Sequence, residues 1–338
     1  MKDVVLVTGA TGHVGNTLVR ELVLIGKTVR TLVLPGEDTS ALKDLPVEIV
    51  PGDVLKPDTL PAAFAGVEDV YHLAGIISIM PGPDEFMRKV NVAGTANVLA
   101  ACRQAGIRRL VYTSSIHALG RPPLGVVIDE TLPFDPHCEA GEYDRTKAEA
   151  TLSVLEAVRQ GLDAVIVCPT GIIGPHDYRG SEMGQLISGW MGDHLSLLVD
   201  GIFNWVDVRD IARGHILACE KGRSGETYIL GGEQVSLAHL WVLVREAAGI
   251  YSQTVIIPFR LAKTAARGAA LWYRLSRTCG RFTPYSLETV NDNSDISIAK
   301  ARRELGYNPR PISETIRDTV AWWKNVQQYK LTTETQRH

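Results

Sequence analysis

The run "VVLVTGATGHVG", Val4 to Gly15, decides how the rest of this chain is read. A β-branched, apolar stretch leads straight into Gly9, Gly12 and Gly15, and a helix-like stretch opens at His13. β-branched side chains suit extended backbone, and glycine permits the tight reversal that must follow. Glycines at this spacing also clear side chains from the mouth of the turn. Backbone N–H groups and the helix N-terminus can then approach a pyrophosphate. The same spacing also serves a strand-to-helix turn that binds nothing, so the surroundings must decide.

Outward from that turn the chain keeps one rhythm. Short apolar runs, "KTVRTLVL", "VEIVPGD", "DVYHLAG", "RRLVYTSS" and "DAVIVCP", alternate with helical stretches from Pro57, from Glu85 to Gln104 and around Tyr143. Strands that are apolar throughout, each followed by a helix, predict a parallel sheet covered on both faces. The expected fold class is therefore doubly wound α/β. Beyond Pro169 the alternation weakens into the Gly/Pro-rich loop "TGIIGPHDYRG" and returns once in "FNWVDVRDIARGHILACEKG". This predicts a first domain over 1–170 that the chain re-enters at about 203–221. A smaller, mixed α/β second domain is expected over 171–202 and 222–325, with a polar tail at 326–338 that frays.

Composition narrows the function classes. The 338 residues are 45% hydrophobic and carry a formal net charge of −3, which matches an ordinary globular protein with a large core. No basic excess points to nucleic acid. No apolar signal core follows Met1 and no run is long enough to span a bilayer, so a cytoplasmic location is expected. Cys102, Cys138, Cys168, Cys219 and Cys279 are odd in number and lack metal-site spacing, so they read as core fillers in a reducing compartment and no metal is expected.

The chemistry is expected in "EYDRTKAEA", Glu142 to Ala150. On a helix Tyr143 and Lys147 project from one face, so the ammonium can favour the phenolate. That moves a phenol of pKa about 10 toward a range useful for acid–base catalysis. The strand "VYTSSIHALG" ends at the sheet edge where doubly wound folds bind ligands. It offers Ser114, which reads as a turn cap, then Ser115, then His117, which reads as a polar wall of a pocket.

The glycine spacing after Thr8 and Tyr143-x-x-x-Lys147 are accompanied by "GDV" at Gly52, "YHLAG" at Tyr71, "NVAGTANVL" from Asn91, "PTGIIGP" from Pro169 and "RRELGYNPR" near the end. Together they resemble the extended, epimerase-like branch of the short-chain dehydrogenase/reductase superfamily over nearly the whole chain. The nearest flavour is the dihydroflavonol-reductase and aldehyde-reductase-like subgroup. The resemblance implies a Rossmann domain, a nicotinamide cofactor and a hydride exchanged with a carbonyl or secondary alcohol. Ser115 would polarise the substrate oxygen, Tyr143 would trade the proton, and Lys147 would hold the nicotinamide ribose. The cofactor would meet Gly9, Thr11, Gly12, His13, Val14 and Gly15 in the turn, and Leu34, Asp53 and Val54 at the ends of the second and third strands. Farther on it would meet Leu73, Ala74, Gly75, Asn91, Thr113, Pro169, Thr170, Gly171 and Ile172. The resemblance also implies a homodimer.

The chain departs from its relatives at informative places. The position that discriminates NAD from NADP at the end of the second strand is Leu34, which is neither acidic nor basic. Glu37 and Asp38 follow it and would repel a 2′-phosphate, which points toward NAD, while Lys43 would reverse this if its loop folded back. Phe203 and Asn204 stand where sugar-nucleotide branches keep a diphosphate-gripping Arg. Ile116 and His117 stand where dehydratases keep an Asp–Glu pair. The expected activity is therefore reduction or dehydrogenation of a small hydrophobic substrate in a pocket including Ile77, His117 and Asn204. The alternatives are an epimerase that retains NAD and a non-catalytic dinucleotide sensor. Between Arg260 and Arg281 the basic residues Arg260, Lys263, Arg267, Arg274 and Arg277 fall on one helical arc opposite Leu261, Ala265, Gly268 and Trp272. That stretch reads as a lid helix, or alternatively as a contact with a membrane surface.

Overall fold

The computed structural model describes residues 4–77, 84–192, 196–199, 201–251, 254–257, 261 and 293–335. The Arg260–Arg281 stretch, apart from Leu261, lies outside the described residues.

Strand β1 (Val4–Thr8) lies in the interior of a seven-stranded sheet. On one side lie β2 (Thr28–Val33) and β3 (Glu48–Pro51), and on the other β4 (Asp69–His72), β5 (Arg109–Thr113), β6 (Ala164–Pro169) and β10 (Thr227–Leu230). Every pairing is parallel. β4, β6 and β10 are buried along their whole length, as strands with helices on both faces must be. One face carries α1 (His13–Leu24) packed on α7 (Val208–Lys221), and the other carries α4 (Thr95–Ala105) beside α5 (Glu142–Arg159). The strand order reverses between β1 and β4, so the two crossovers part there and open a crevice beyond the strands' C-terminal ends.

The re-entry falls later than the sequence predicts. β9 (Ile202–Asp207) does not join the large sheet, but lies between β7 (Gly171–Ile173) and β11 (Glu233–Ser236) in a small mixed one. The strand that returns is β10, and α7 is the crossover that delivers it. Both strands are short and apolar, and periodicity cannot say which sheet receives a strand buried on both faces.

β8 (Ser196–Val199) pairs with β12 (Thr254–Ile257), and α6 (Glu182–Trp190), α8 (Leu237–Ala248) and the closing helix Ile312–Thr335 pack together beside them. One buried cluster runs from the large sheet through Trp190, Phe203, Trp205 and Trp241 to Trp323. The polar tail expected to fray continues as helix to Thr335. No Gly or Pro interrupts Ile312–Thr335, so nothing in the backbone stops propagation. Among the described residues no helix is long and apolar enough to cross a membrane, and no His/Cys/Asp/Glu group could hold a metal.

Candidate active site

The glycine turn is held against the end of β4. Gly9 adopts φ +70°, and a Cβ there would lie 2.7 Å from Ala74 N. A Cβ on Gly15 would lie 2.0 Å from Gly9 O, so the turn and the start of α1 touch backbone to backbone. Gly12 caps α1 with no side-chain hydrogen bond, and no acidic residue occupies the first turn. No side chain therefore takes up the N–H groups at the helix N-terminus, and its positive dipole end fits a dinucleotide's pyrophosphate. Thr11 is buried in that turn, with His13 and Val14 partly buried behind it.

Across the crevice, Ser115 caps a short 3₁₀ turn (Ile116–Ala118) directly after β5, and its Oγ accepts from His117 N at 3.2 Å. Tyr143 lies in the first turn of α5 with Lys147 one turn later, and all three side chains are buried. Lys147 Nζ donates to Thr113 O at 2.6 Å and to Tyr112 Oη at 3.1 Å, and sits 4.7 Å over the Tyr112 ring. Burial, the largest influence, lifts the Tyr143 phenol above its usual range, while Lys147 and a hydrogen bond with Ser115 pull it down. The expected pull of the ammonium is present, yet desolvation outweighs it, and the phenol stays protonated at neutral pH. Burial in turn lowers Lys147, with Tyr143 opposing.

Two buried histidines, neither anticipated from sequence, brace this pair. Thr8 Oγ1 accepts from Leu73 N and Ala74 N, so its hydroxyl donates to His72 Nδ1 at 2.7 Å. His72 Nε2–H then meets Thr95 Oγ1, whose hydroxyl donates to Asn91 O at 2.7 Å. His215 Nδ1–H donates to Ile211 O, leaving Nε2 to accept from Thr113 Oγ1 at 2.7 Å. Burial holds both rings neutral, His72 down at about 3 and His215 at about 4. His215 thus fixes the residue whose carbonyl holds Lys147.

Asn91 sits in a π-helical turn (Lys89–Gly94) within the helix expected over Glu85 to Gln104. Its Oδ1 accepts from Ile76 N at 2.8 Å, while Nδ2 donates to Ile76 O and Thr146 Oγ1. Thr146 donates in turn to Tyr143 O, so Asn91 ties the segment after β4 to the helix carrying Tyr143. A Cβ on Gly75 would lie 3.2 Å from Asn91 Oδ1.

The other expected positions divide. Leu34 is half exposed at the end of β2, and Val54 is buried against Gly94. Asp53 Oδ1 accepts from Leu55 N at 2.8 Å, so one of its oxygens caps the next turn. Pro169 ends β6 and Thr170 is buried, while Gly171 lies under the Phe203 and Trp205 rings and Ile172 stays partly exposed in β7. Ile77 is exposed. His117 stacks on Phe203 and meets Tyr143 edge-on at 6.4 Å. It helps line a small cleft with Ile116, Leu119, Ile128, Phe203 and Ile296. Asn204 is a correction. It is buried, and its Oδ1 accepts from Thr170 Oγ1 and Gly232 N, so it braces the junction of the two sheets rather than lining a pocket. In a strand side chains alternate, and Phe203 takes the pocket side in its place.

The family model described as "NAD dependent epimerase/dehydratase family" matches residues 5–231. The chain is 36% identical to "Sterol demethylase protein B" of Methylococcus capsulatus, over 94% of this chain and 98% of that one. It is 32% identical to a "3 beta-hydroxysteroid dehydrogenase/Delta 5-->4-isomerase" of Mycobacterium tuberculosis, over 90% and 86%. The solved structure "gox2253" superposes with TM-score 0.83 at 37% identity, covering 96% of this chain and 98% of that one.

Proposed function

The chain belongs to the NAD dependent epimerase/dehydratase family as an NAD(P)-dependent oxidoreductase of the extended short-chain type, and from that premise we propose that it interconverts a hydrophobic, sterol-like ketone and its secondary alcohol. The observation that carries this reading is the convergence of Ser115, Tyr143 and Lys147, all buried, at the C-terminal edge of β5. In reduction Ser115 hydrogen-bonds the substrate oxygen and Tyr143 delivers the proton. Lys147, anchored on Thr113 O, favours the phenol's acidity and would hold the nicotinamide ribose. A nicotinamide cofactor, when bound, would supply the hydride. Holding the reacting groups close and oriented provides much of the rate.

The substrate assignment is supported by relatives whose names specify sterol or steroid chemistry, and by the aliphatic side of the cleft beside His117 and Phe203, where Ile116, Leu119, Ile128 and Ile296 face a rim that also carries Arg121 and Asn293. We assign residues 1–170 with 208–230 to cofactor binding and the remaining segments to the substrate. NAD is the preferred cofactor and the cytoplasm the working compartment. A homodimer through the outer faces of α5 and the short helix Glu85–Arg88 is supported by exposed Leu152 and Phe86.

Tyr143→Phe tests the mechanism. Turnover of a hydrophobic ketone should fall by about 10²–10⁴-fold, since the phenol's proton transfer is the contribution removed. NADH affinity should stay within about twofold, because Phe keeps the shape of the site. Activity surviving in this variant would overturn the assignment of Tyr143 as the acid.

A further inference from the structure

The adenosine side of the crevice carries a charged group that the catalytic reading does not use. Glu37 lies four residues past the end of β2, and its carboxylate folds back toward the glycine turn. Oε1 accepts from Thr11 Oγ1 at 2.8 Å, and Oε2 accepts from Leu34 N at 3.1 Å. Arg179 reaches the same point from the loop after β7, 142 residues away in sequence. It pairs with Glu37 Oε1 and donates to Thr11 Oγ1 at 2.6 Å. The loop that carries it is fastened to α1. His13 Nε2–H donates to Pro175 O at 2.9 Å, Asn16 Nδ2 to His176 O at 3.0 Å, and Arg20 Nη2 to Tyr178 Oη at 3.2 Å. His176 adopts φ +68° and Gly180 φ +64°, two left-handed bends that turn the loop over the glycine turn.

In a doubly wound fold the end of β2 is where the 2′ position of the adenosine ribose is read, by an acid for a free hydroxyl or an Arg for a phosphate. Leu34, at that end, has no charge to do so. We propose that Glu37 and Arg179, joined through Thr11, read the 2′ position in its place. Glu37 accepts from the ribose hydroxyl and keeps the Arg179 guanidinium engaged, so a 2′-phosphate meets a carboxylate whose counter-charge is already taken. The device rests on the dinucleotide-binding reading, and it makes NAD preference a property of one carboxylate rather than of the strand end. Removing that carboxylate leaves an Arg and a Thr hydroxyl at the same spot, a pair suited to phosphate because a guanidinium donates in a planar fork.

NADH and NADPH binding to the full chain, followed by nucleotide fluorescence without substrate, tests this independently of turnover. The unsubstituted protein should bind NADH more tightly. Glu37→Gln should tighten NADPH by about tenfold and weaken NADH by a few-fold, as a charge-assisted contact changes sides. Arg179→Ala added to Glu37→Gln should return NADPH to its starting affinity. An NADH-to-NADPH ratio that Glu37→Gln leaves within about twofold would overturn the proposal while the dinucleotide reading stood, as would a double variant that kept the gain. A protein binding neither nucleotide would end both readings. Thermal melts of each variant separate loss of the site from loss of the fold.

Discussion

Tyr143 is drawn two ways, and the balance determines how activity responds to pH. Burial raises the phenol, and Lys147 and Ser115 lower it less. Reduction needs the protonated phenol, so its rate should hold level through neutral pH and fall only in the alkaline range. Oxidation needs the phenolate and should rise with pH. Lys147→Met removes the opposing charge, so the oxidative profile should move to still higher pH, which kcat measured across pH would read. A profile that does not move would mean the ammonium acts only on the cofactor. The i, i+4 spacing made the pair legible in sequence, but burial, which reverses the sign of the net shift, is a property of the packed site. Gly9 belongs to the same scale. Gly9→Ala imposes φ +70° on an L-residue and presses its Cβ onto the β4 backbone. Stability measured in urea should drop by more than about 1 kcal/mol, the cost of a strained non-glycine position.

Elements set where those residues stand. The π-helical turn over Lys89–Gly94 aims Asn91 at the Ile76 backbone and at Thr146, whose hydroxyl reaches Tyr143 O. Asn91→Ala strands those buried partners and should cost about 1–3 kcal/mol in denaturant unfolding. Turnover should fall too, with cofactor affinity changing less, because the helix carrying Tyr143 loses its tie to the segment after β4. The family resemblance singled out Asn91 as a cofactor contact, but the sequence carried no sign of the π turn, since one extra residue in a helical turn leaves the apolar period almost intact. β9 and β10 illustrate the same limit. The sequence showed β9 as a short apolar strand and took it for the returning one, whereas packing assigned it to the small sheet and gave the large one β10, which the sequence reading did not single out.

At the scale of the whole molecule, three neutral histidines, two buried and one partly buried, bias stability toward neutral pH. His72, His176 and His215 have folded-state values of about 3, about 4 and about 4, below the ordinary histidine range. Each therefore takes up a proton on unfolding once the pH falls below about 6.5. The stability they contribute is complete above that pH and is lost as pH falls toward 4. Asp207, lowered by Arg209 and Arg310 against its burial, adds in the same direction. The melting temperature should decline between pH 7 and 5, and His215→Gln should flatten part of that slope. A melting temperature that stayed level over this range would contradict the neutral state of these rings.

What the sequence determined by itself is local and periodic. The glycine turn, the alternation of apolar strands with helices, and Tyr143 and Lys147 on one helical face all follow from backbone sterics and side-chain spacing. The tertiary structure alone decided what depends on residues far apart. It brought Arg179 onto Glu37 across 142 positions, placed His72 and His215 behind the catalytic pair, and turned Phe203 rather than Asn204 toward the cleft. Those contacts form where sheet order and burial bring distant segments together, and neither the period of a helix nor that of a strand encodes which distant segment arrives.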